Sequence, residues 1–372
     1  MKKIFMIGYM HPKNDKRVER SVKALEKEFE VKLQYLQKND VLINDGQNMG
    51  VYLQRSDKKN ILSRKTDSFF LLRKFDRKIL DEVTTGEYDI LYIHGISIFY
   101  PLKLFQIAKK RGKKVVFDMH EYYPQDYLSY LKKPFSLIKE FIYEKLIFKN
   151  QLKLSDMVIS VSKGISQHIY SKNLYEQKIY YLPNYASYYI PSKDARKKEK
   201  SICFVGGTSR SIKTVLPLLK ALSENGFSVK IIGTHIAGFE SLGFLAYQQM
   251  MEKLSESMFS LIAYDFDPTM IEYAHSMPNK FFDSICAGTP VMVDKRFKSM
   301  ASEVNKYGVG HVIDIHNVSQ SINVFMRSSQ KREYERILNH IAVYRDDFFW
   351  NSEKEERFRN ELIKQLNMEE KR

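Results

Sequence analysis

Apolar residues along this chain fall into two alternating patterns. Short apolar runs within residues 2–8, 89–93, 114–117 and 157–161 read as strands buried on both faces, since a half-exposed strand would alternate with period two, and 31–36 reads as a further strand. Between them the apolar positions take helical spacing, as at 17–29, where Val18, Val22, Leu25 and Phe29 share one face. Residues 68–83, a stretch around 101–111 and the long segment 127–153 read as further helices. Such alternation predicts an open parallel sheet with right-handed crossovers. Residues 37–68 are polar and weakly patterned, and no element is predicted there.

After residue 186 the composition shifts to Lys, Arg, Ser and Pro without apolar period, which reads as a linker at 187–200. Strands are then predicted at 201–205, 228–232, 259–264 and 291–293. The Met-rich helix between them, 245–254, reads as core rather than as a cofactor box. The chain therefore divides into an N-terminal domain at 1–186, the linker, a C-terminal domain at 201–348, and a last segment at 349–372. That segment carries Trp350 in an aromatic cluster and a helix at 353–366, which is expected to cross back to the first domain.

Residues 276–293, SMPNKFFDSICAGTPVMV, condense the second half of this pattern. Pro278 suits a helix start, where a missing N–H costs nothing, and Gly288 suits the stop before the apolar run Val291-Met292-Val293. The amides of that helix start, with Lys280 beside them, predict an anion site. Gly206 and Gly207 bend the chain after the strand 201–205, where Arg210 and Lys213 add positive charge, although glycine pairs also simply make turns. Gly233 follows the next strand in the same way.

In the first half, polar groups sit just past the carboxyl ends of three strands: His11, His94, and the pair His120 and Glu121. Open parallel sheets bind their ligands at that edge. The pair Asp265 and Asp267 superficially matches a two-carboxylate metal motif, but no further ligands accompany it, and no metal is expected.

Composition narrows the class. With 372 residues, 44% of them hydrophobic, two full cores are available, and no window approaches a membrane-spanning length. The start of the chain is too short before its polar break for a secretory signal, and Cys203 and Cys286 both lie in apolar segments; the reading is a reduced, cytoplasmic protein. The net charge of +16 is lopsided. Residues 1–198 hold 38 Lys and Arg against 22 Asp and Glu, while the remainder is balanced. Such asymmetry points to an anionic partner of the first domain, or to solubilising lysines on helix backs. The segment 127–153 poses the same choice: its six lysines among Tyr, Phe, Leu and Ile suit either an anionic bilayer surface or a helix packed apolar side down.

The motif PNKFFD at 278–283 with AGTPV at 287–291 is similar to the P-x-K-x-x-E-x-x-A-x-G-x-P-V signature of the large retaining family four of GT-B glycosyltransferases. Residues 12–20, the loop Asp118-Met119-His120-Glu121, Ser160-Val161-Ser162 and Leu182-Pro183-Asn184 support the resemblance in chain order. The fold it implies is GT-B, an α/β class in which two Rossmann-like domains with parallel sheets face each other across a cleft. The activity it implies is transfer of a sugar from a nucleotide-diphosphate sugar, UDP favoured, to a glycan or lipid-linked acceptor in cell-surface polysaccharide synthesis. The nucleotide-sugar is a co-substrate, so no cofactor is implied, and the reaction is metal-independent.

By the same resemblance the donor site comprises Gly206, Gly207, Gly233, His275, Ser276, Pro278, Asn279, Lys280 and Asp283, with His120, Arg210 and Lys213 catalytic and His11, His94 and Glu121 at the acceptor. Asp283 stands where the family has a ribose-binding glutamate, and His275 where it has a second glutamate. Growing charge on the leaving diphosphate would be met by Arg210, Lys213 and Lys280. The acceptor and the basic first domain together imply a cytoplasmic protein at the inner face of the membrane. Competing readings are a nucleotide-sugar 2-epimerase of the same fold, an inactive GT-B scaffold, and a basic nucleic-acid-binding protein. The spread of the lysines among helices, without a recognition motif, argues against the last.

Overall fold

The structure, a computed structural model, describes the chain apart from residues 39–45, 58–59, 132, 192–196, 207–210 and 368–372. The chain forms two compact units. The first comprises Met1–Val161, Ile165–Leu182 and Glu353–Arg372; the second comprises Ser162–Gly164 and Pro183–Ser352.

The first unit is built on seven parallel strands: β1 (Lys3–Ile7), β2 (Glu30–Gln37), β3 (Met49–Tyr52), β4 (Ile90–Ile93), β5 (Lys114–Met119), β6 (Met157–Ser160) and β7 (Tyr180–Tyr181). Their order is β3-β2-β1-β4-β5-β6-β7. The second unit has six: β8 (Glu199–Val205), β9 (Ser228–Ile232), β10 (Glu240–Ser241), β11 (Ser257–Ile262), β12 (Val291–Asp294) and β13 (Gly310–Ile313), ordered β10-β9-β8-β11-β12-β13. Both orders reverse direction once, beside the first strand of each unit, which is the doubly wound Rossmann arrangement. The continuous apolar runs are the reason: β4, with all four residues buried, has no face that water could solvate.

Helices cover both faces of the second sheet. Met251, Leu254, Phe281, Phe282 and Ile285 pack on one side, and Leu218, Leu222, Phe325 and Tyr334 on the other. Both cysteines are buried in this core region, and neither forms a disulfide. The helix Ser352–Asn367 packs in the first unit through Phe358, Leu362 and Leu366, with an ion pair between Glu355 and Lys27. Trp350, by contrast, stays in the second unit, where its amide donates to Ala186 and its ring lies 5.9 Å from that of Tyr185.

Two segments differ from expectation. The polar stretch around 37–68 contains β3 and the start of a 25-residue helix, Ile61–Thr85, whose weak amphipathy hid it. Among the described residues of 127–153 the helix begins at Phe135, as Phe135–Ile142 continuing through a wider-wound turn, Tyr143–Phe148, to Leu154. No helix among the described residues is long and apolar enough to cross a membrane.

Candidate functional site

Each unit presents a polar cluster at the carboxyl edge of its own sheet. In the first unit the loop after β1 is fixed before any functional group is placed. Tyr9 has φ of 55°, an uncommon left-handed conformation for a bulky residue. Compensating bonds hold it there. Its amide donates to the Gln34 side chain at 2.8 Å, and its hydroxyl donates to Asp76 at 3.0 Å. Asp76 also accepts from Ser97 Oγ and the Phe99 amide, so one buried carboxylate ties the loops after β1 and β4 together.

Asp118, at the end of β5, is fully buried. Arg17 Nη2 donates to its Oδ1 at 2.5 Å and Arg17 Nη1 donates to the Leu182 carbonyl at 2.7 Å; Tyr92 OH donates to Oδ2 at 3.0 Å. Arg17 is in place because Asp15 caps the helix Lys16–Leu25, accepting from the Arg17 and Val18 amides. Burial alone would raise the Asp118 pKa. The Arg17 charge leads the opposing effects, and the carboxyl is held well below the usual carboxylate range.

Against this carboxylate lie two histidines. His94 Nδ1 is 3.3 Å from Asp118 Oδ2 and 3.0 Å from His120 Nε2. An ionised carboxylate only accepts, so the proton of neutral His94 belongs on Nδ1. His120 then accepts at Nε2 and carries its own proton on Nδ1, an assignment made from this bonding pattern. His94 Nε2 is buried with no hydrogen-bond partner among the described residues. Protonating it would strand an N–H, and burial pushes the His94 pKa down to about 3. The His120 pKa is likewise pushed well down, first by burial.

The edge therefore offers a half-buried neutral imidazole, His120, backed by His94 and with its ring centroid 4.9 Å from that of His11, the two planes tilted by 60°. Its Nδ1–H can donate to a hydroxyl. His11 bonds Asp15 at 3.0 Å, and Glu121 lies half-buried beside this edge. His94 itself has no exposed surface, so in this unit it supports His120 rather than facing solvent. His94, Asp118 and His120 also offer three potential metal-ligand atoms within 4.8 Å of one another. The Arg17 guanidinium already matches the charge of that carboxylate, which disfavours a second cation there.

In the second unit the switch lies between β8 and β11. Lys280, in the first turn of the helix Asn279–Cys286, donates to the Val205 carbonyl at 2.7 Å, with its ammonium 5.5 Å from the Tyr264 ring centroid. Pro278 is the residue that precedes this helix, and Gly288, with φ of 70°, ends it. Asn279 is exposed, whereas Asp283 is buried and accepts from Tyr247 OH at 2.8 Å. The pair lies one turn apart, yet only Asn279 faces solvent. Ser276 is half-buried, and the carbonyl of the next residue, Met277, accepts from Asn184 at 3.0 Å. His275 Nδ1 pairs with Ser299 Oγ at 2.9 Å, and burial lowers its pKa.

Gly206 and Gly233 meet at the ends of β8 and β9. A Cβ on Gly233 would stand 2.5 Å from the Gly206 carbonyl oxygen, and its φ is 86°. Gly233→Ala is expected to cost about 1–2 kcal/mol for the backbone conformation, plus the clash. Gly238→Ala has a similar φ but open space around it, so in urea denaturation it should lose measurably less. Equal losses would mean the close approach is unimportant.

Lys213 is exposed ahead of the helix Leu216–Glu224, while Gly207 and Arg210 lie outside the described residues. Asp265 accepts from Ser211 Oγ and the Thr214 amide, and Asp267 caps its own turn through Thr269. Both carboxylates of the suspected metal motif thus have local structural bonds.

Residues 18–185 match the family model described as Glycosyltransferase Family 4. No curated protein matches the sequence. Among solved structures, sucrose-phosphate synthase from Thermosynechococcus elongatus is similar at 13% identity and a TM-score of 0.67, over 98% of this chain and 99% of that one. The Anabaena protein HepE, in complex with UDP and glucose, is similar at 11% identity and a TM-score of 0.64, over 99% and 100%. The apo lipopolysaccharide outer core galactosyltransferase WaaB gives 15% and 0.62, over 97% and 99%. At such identities the likeness is one of fold. The resemblance to a GT-B glycosyltransferase read from the sequence is borne out.

Proposed function

We propose that this GT-B glycosyltransferase moves a sugar, with retention of configuration and without a bound metal, from a UDP-sugar to a glycan or lipid-linked saccharide in cell-surface polysaccharide synthesis. The observation that carries the donor reading is Lys280 at the switch between β8 and β11, its ammonium at the carboxyl end of β8. Doubly wound sheets bind phosphorylated ligands at that point, and a cation there suits a leaving diphosphate. HepE binds UDP and glucose, which favours UDP as the nucleotide to try first. Gly206 and Gly233 supply close backbone approach; Ser276, Pro278 and Asn279 flank the same helix start, with His275 and Asp283 behind it. Lys213, and Arg210 with Gly207, would add to the phosphate grip.

On the first unit, His11, His120 and Glu121 would meet the acceptor or the transferred sugar, with His120 donating through Nδ1 and His94 holding its tautomer. The excess positive charge of residues 1–198 suits a pyrophosphate-linked acceptor at the cytoplasmic face of a membrane.

The test is calorimetric titration with UDP and with uridine. Lys280→Ala should weaken UDP binding by roughly tenfold or more, the scale of a lost charge-assisted contact, and leave uridine unchanged. Equal loss of both would assign Lys280 to the structure of the loop. No binding of any nucleoside diphosphate would remove the donor reading, and anomeric NMR of the product reports retention.

A further inference from the structure

The helix Phe135–Ile142 is turned inside out. None of its residues is buried, and Phe135, Leu137, Ile138, Phe141 and Ile142 are between 47% and 68% exposed. At 100° per residue these five cover about half of the helix circumference. The face turned to the protein is the polar one. Lys139 Nζ donates to the carbonyls of Pro124 and Gln125 at 2.9 and 3.2 Å, and Glu140 accepts from the Gln125 side chain at 3.0 Å. Specific polar bonds therefore hold the apolar face outward, the reverse of a helix packed apolar side down. Leu146, on the next turn, is 63% exposed and extends the stripe.

The charge around the stripe selects the occupant. Exposed Lys133 precedes the helix, and Lys145, Lys149 and Lys153 follow it. The two acidic residues of 127–153 are both engaged, Glu140 as above and Glu144 by Tyr122 OH at 2.6 Å and Lys172 at 3.0 Å. An apolar stripe with a cationic border matches an anionic bilayer, whose hydrocarbon takes the side chains while its headgroups pair with the lysines. A protein partner would have to supply both an apolar groove and an acidic rim. No helix among the described residues is long and apolar enough to cross a bilayer, so this one would lie in the interface.

We propose that Phe135–Ile142 is a docking element that seats the first unit on anionic lipid. The proposal gives a physical location to the membrane-side acceptor of the function above, but the surface stands without that reading. The test is co-sedimentation of the full chain with vesicles of phosphatidylcholine, alone or with phosphatidylglycerol, at low and high salt. Binding is expected only with phosphatidylglycerol, weakening with salt. Phe135→Ser with Phe141→Ser should lower partitioning by about tenfold or more, with an unchanged melting temperature because both rings already face solvent. Lys133→Glu with Lys145→Glu should lower binding at low salt most.

No binding to anionic vesicles, or equal binding by the serine variant, overturns the proposal. A dimer in light scattering that the serine variant dissolves would also overturn it, assigning the stripe to a second copy. Sugar transfer to a soluble acceptor should be the same in the serine variant, so failure of docking and failure of the transferase reading are told apart.

Discussion

Asp118→Ala is expected to destabilise the first unit by about 3–5 kcal/mol, the range for removing one partner of a buried ion pair. Arg17 and Asp118 are 4% and 0% exposed, so neither charge has water to fall back on. The substitution leaves the Arg17 guanidinium with only the Leu182 carbonyl among its partners described above, and Tyr92 OH without its acceptor. Removing both charges, as Arg17→Met with Asp118→Leu, should recover part of the loss, because the orphaned cation is gone. Urea denaturation followed by circular dichroism measures this, with hydrogen exchange on β1 and β5 locating it. Trp350 fluorescence is the wrong probe, since that residue belongs to the second unit. A loss below about 1 kcal/mol, the surface-pair value, would show that the pair is not dry.

That ion pair also marks what the sequence made legible and what it hid. The strand runs, the alternation and the helix-stopping Gly288 are local signals, and the two sheets follow from them. Arg17 and Asp118 both lie in stretches that carry the family resemblance, but nothing local joined them: one charge begins a helix, and one carboxylate closes the run Val115-Val116-Phe117. A charge in a buried pattern needs a partner, and that rule could have joined them across 101 positions. Tyr9 and Asp76 carried no comparable signal, because a left-handed tyrosine is set by the bonds around it. Asp283 shows the converse. The motif marks its position, but only the fold reveals Tyr247 on its carboxylate. The helix Phe135–Ile142 had the right composition for two opposite orientations, and the choice depended on Gln125 and Pro124, outside the helix itself.

The second large effect expected is acid lability that begins near neutrality. His94 has a folded pKa of about 3, below the 6.5 of a free imidazole. A group whose folded pKa is depressed contributes stability above its unfolded value, and that stability is lost as pH falls toward the folded value. The window therefore opens near pH 6.5 and runs to about 3. Within it the unfolded chain takes up a proton that the folded unit refuses, at about 1.4 kcal/mol per pH unit for each such group. Between pH 7 and 5 the His94 share alone is roughly 2 kcal/mol, and His120, shifted in the same direction, adds to it. Asp118 acts with the same sign, but only once pH drops below about 4, the unfolded carboxylate value. The two windows can thus be separated. His94→Gln should have a shallower slope of unfolding free energy against pH between 7 and 5, even if its absolute stability is lower. An unchanged slope would mean that His94 finds an acceptor for its second N–H, and the tautomer assigned to His120 would fall with it.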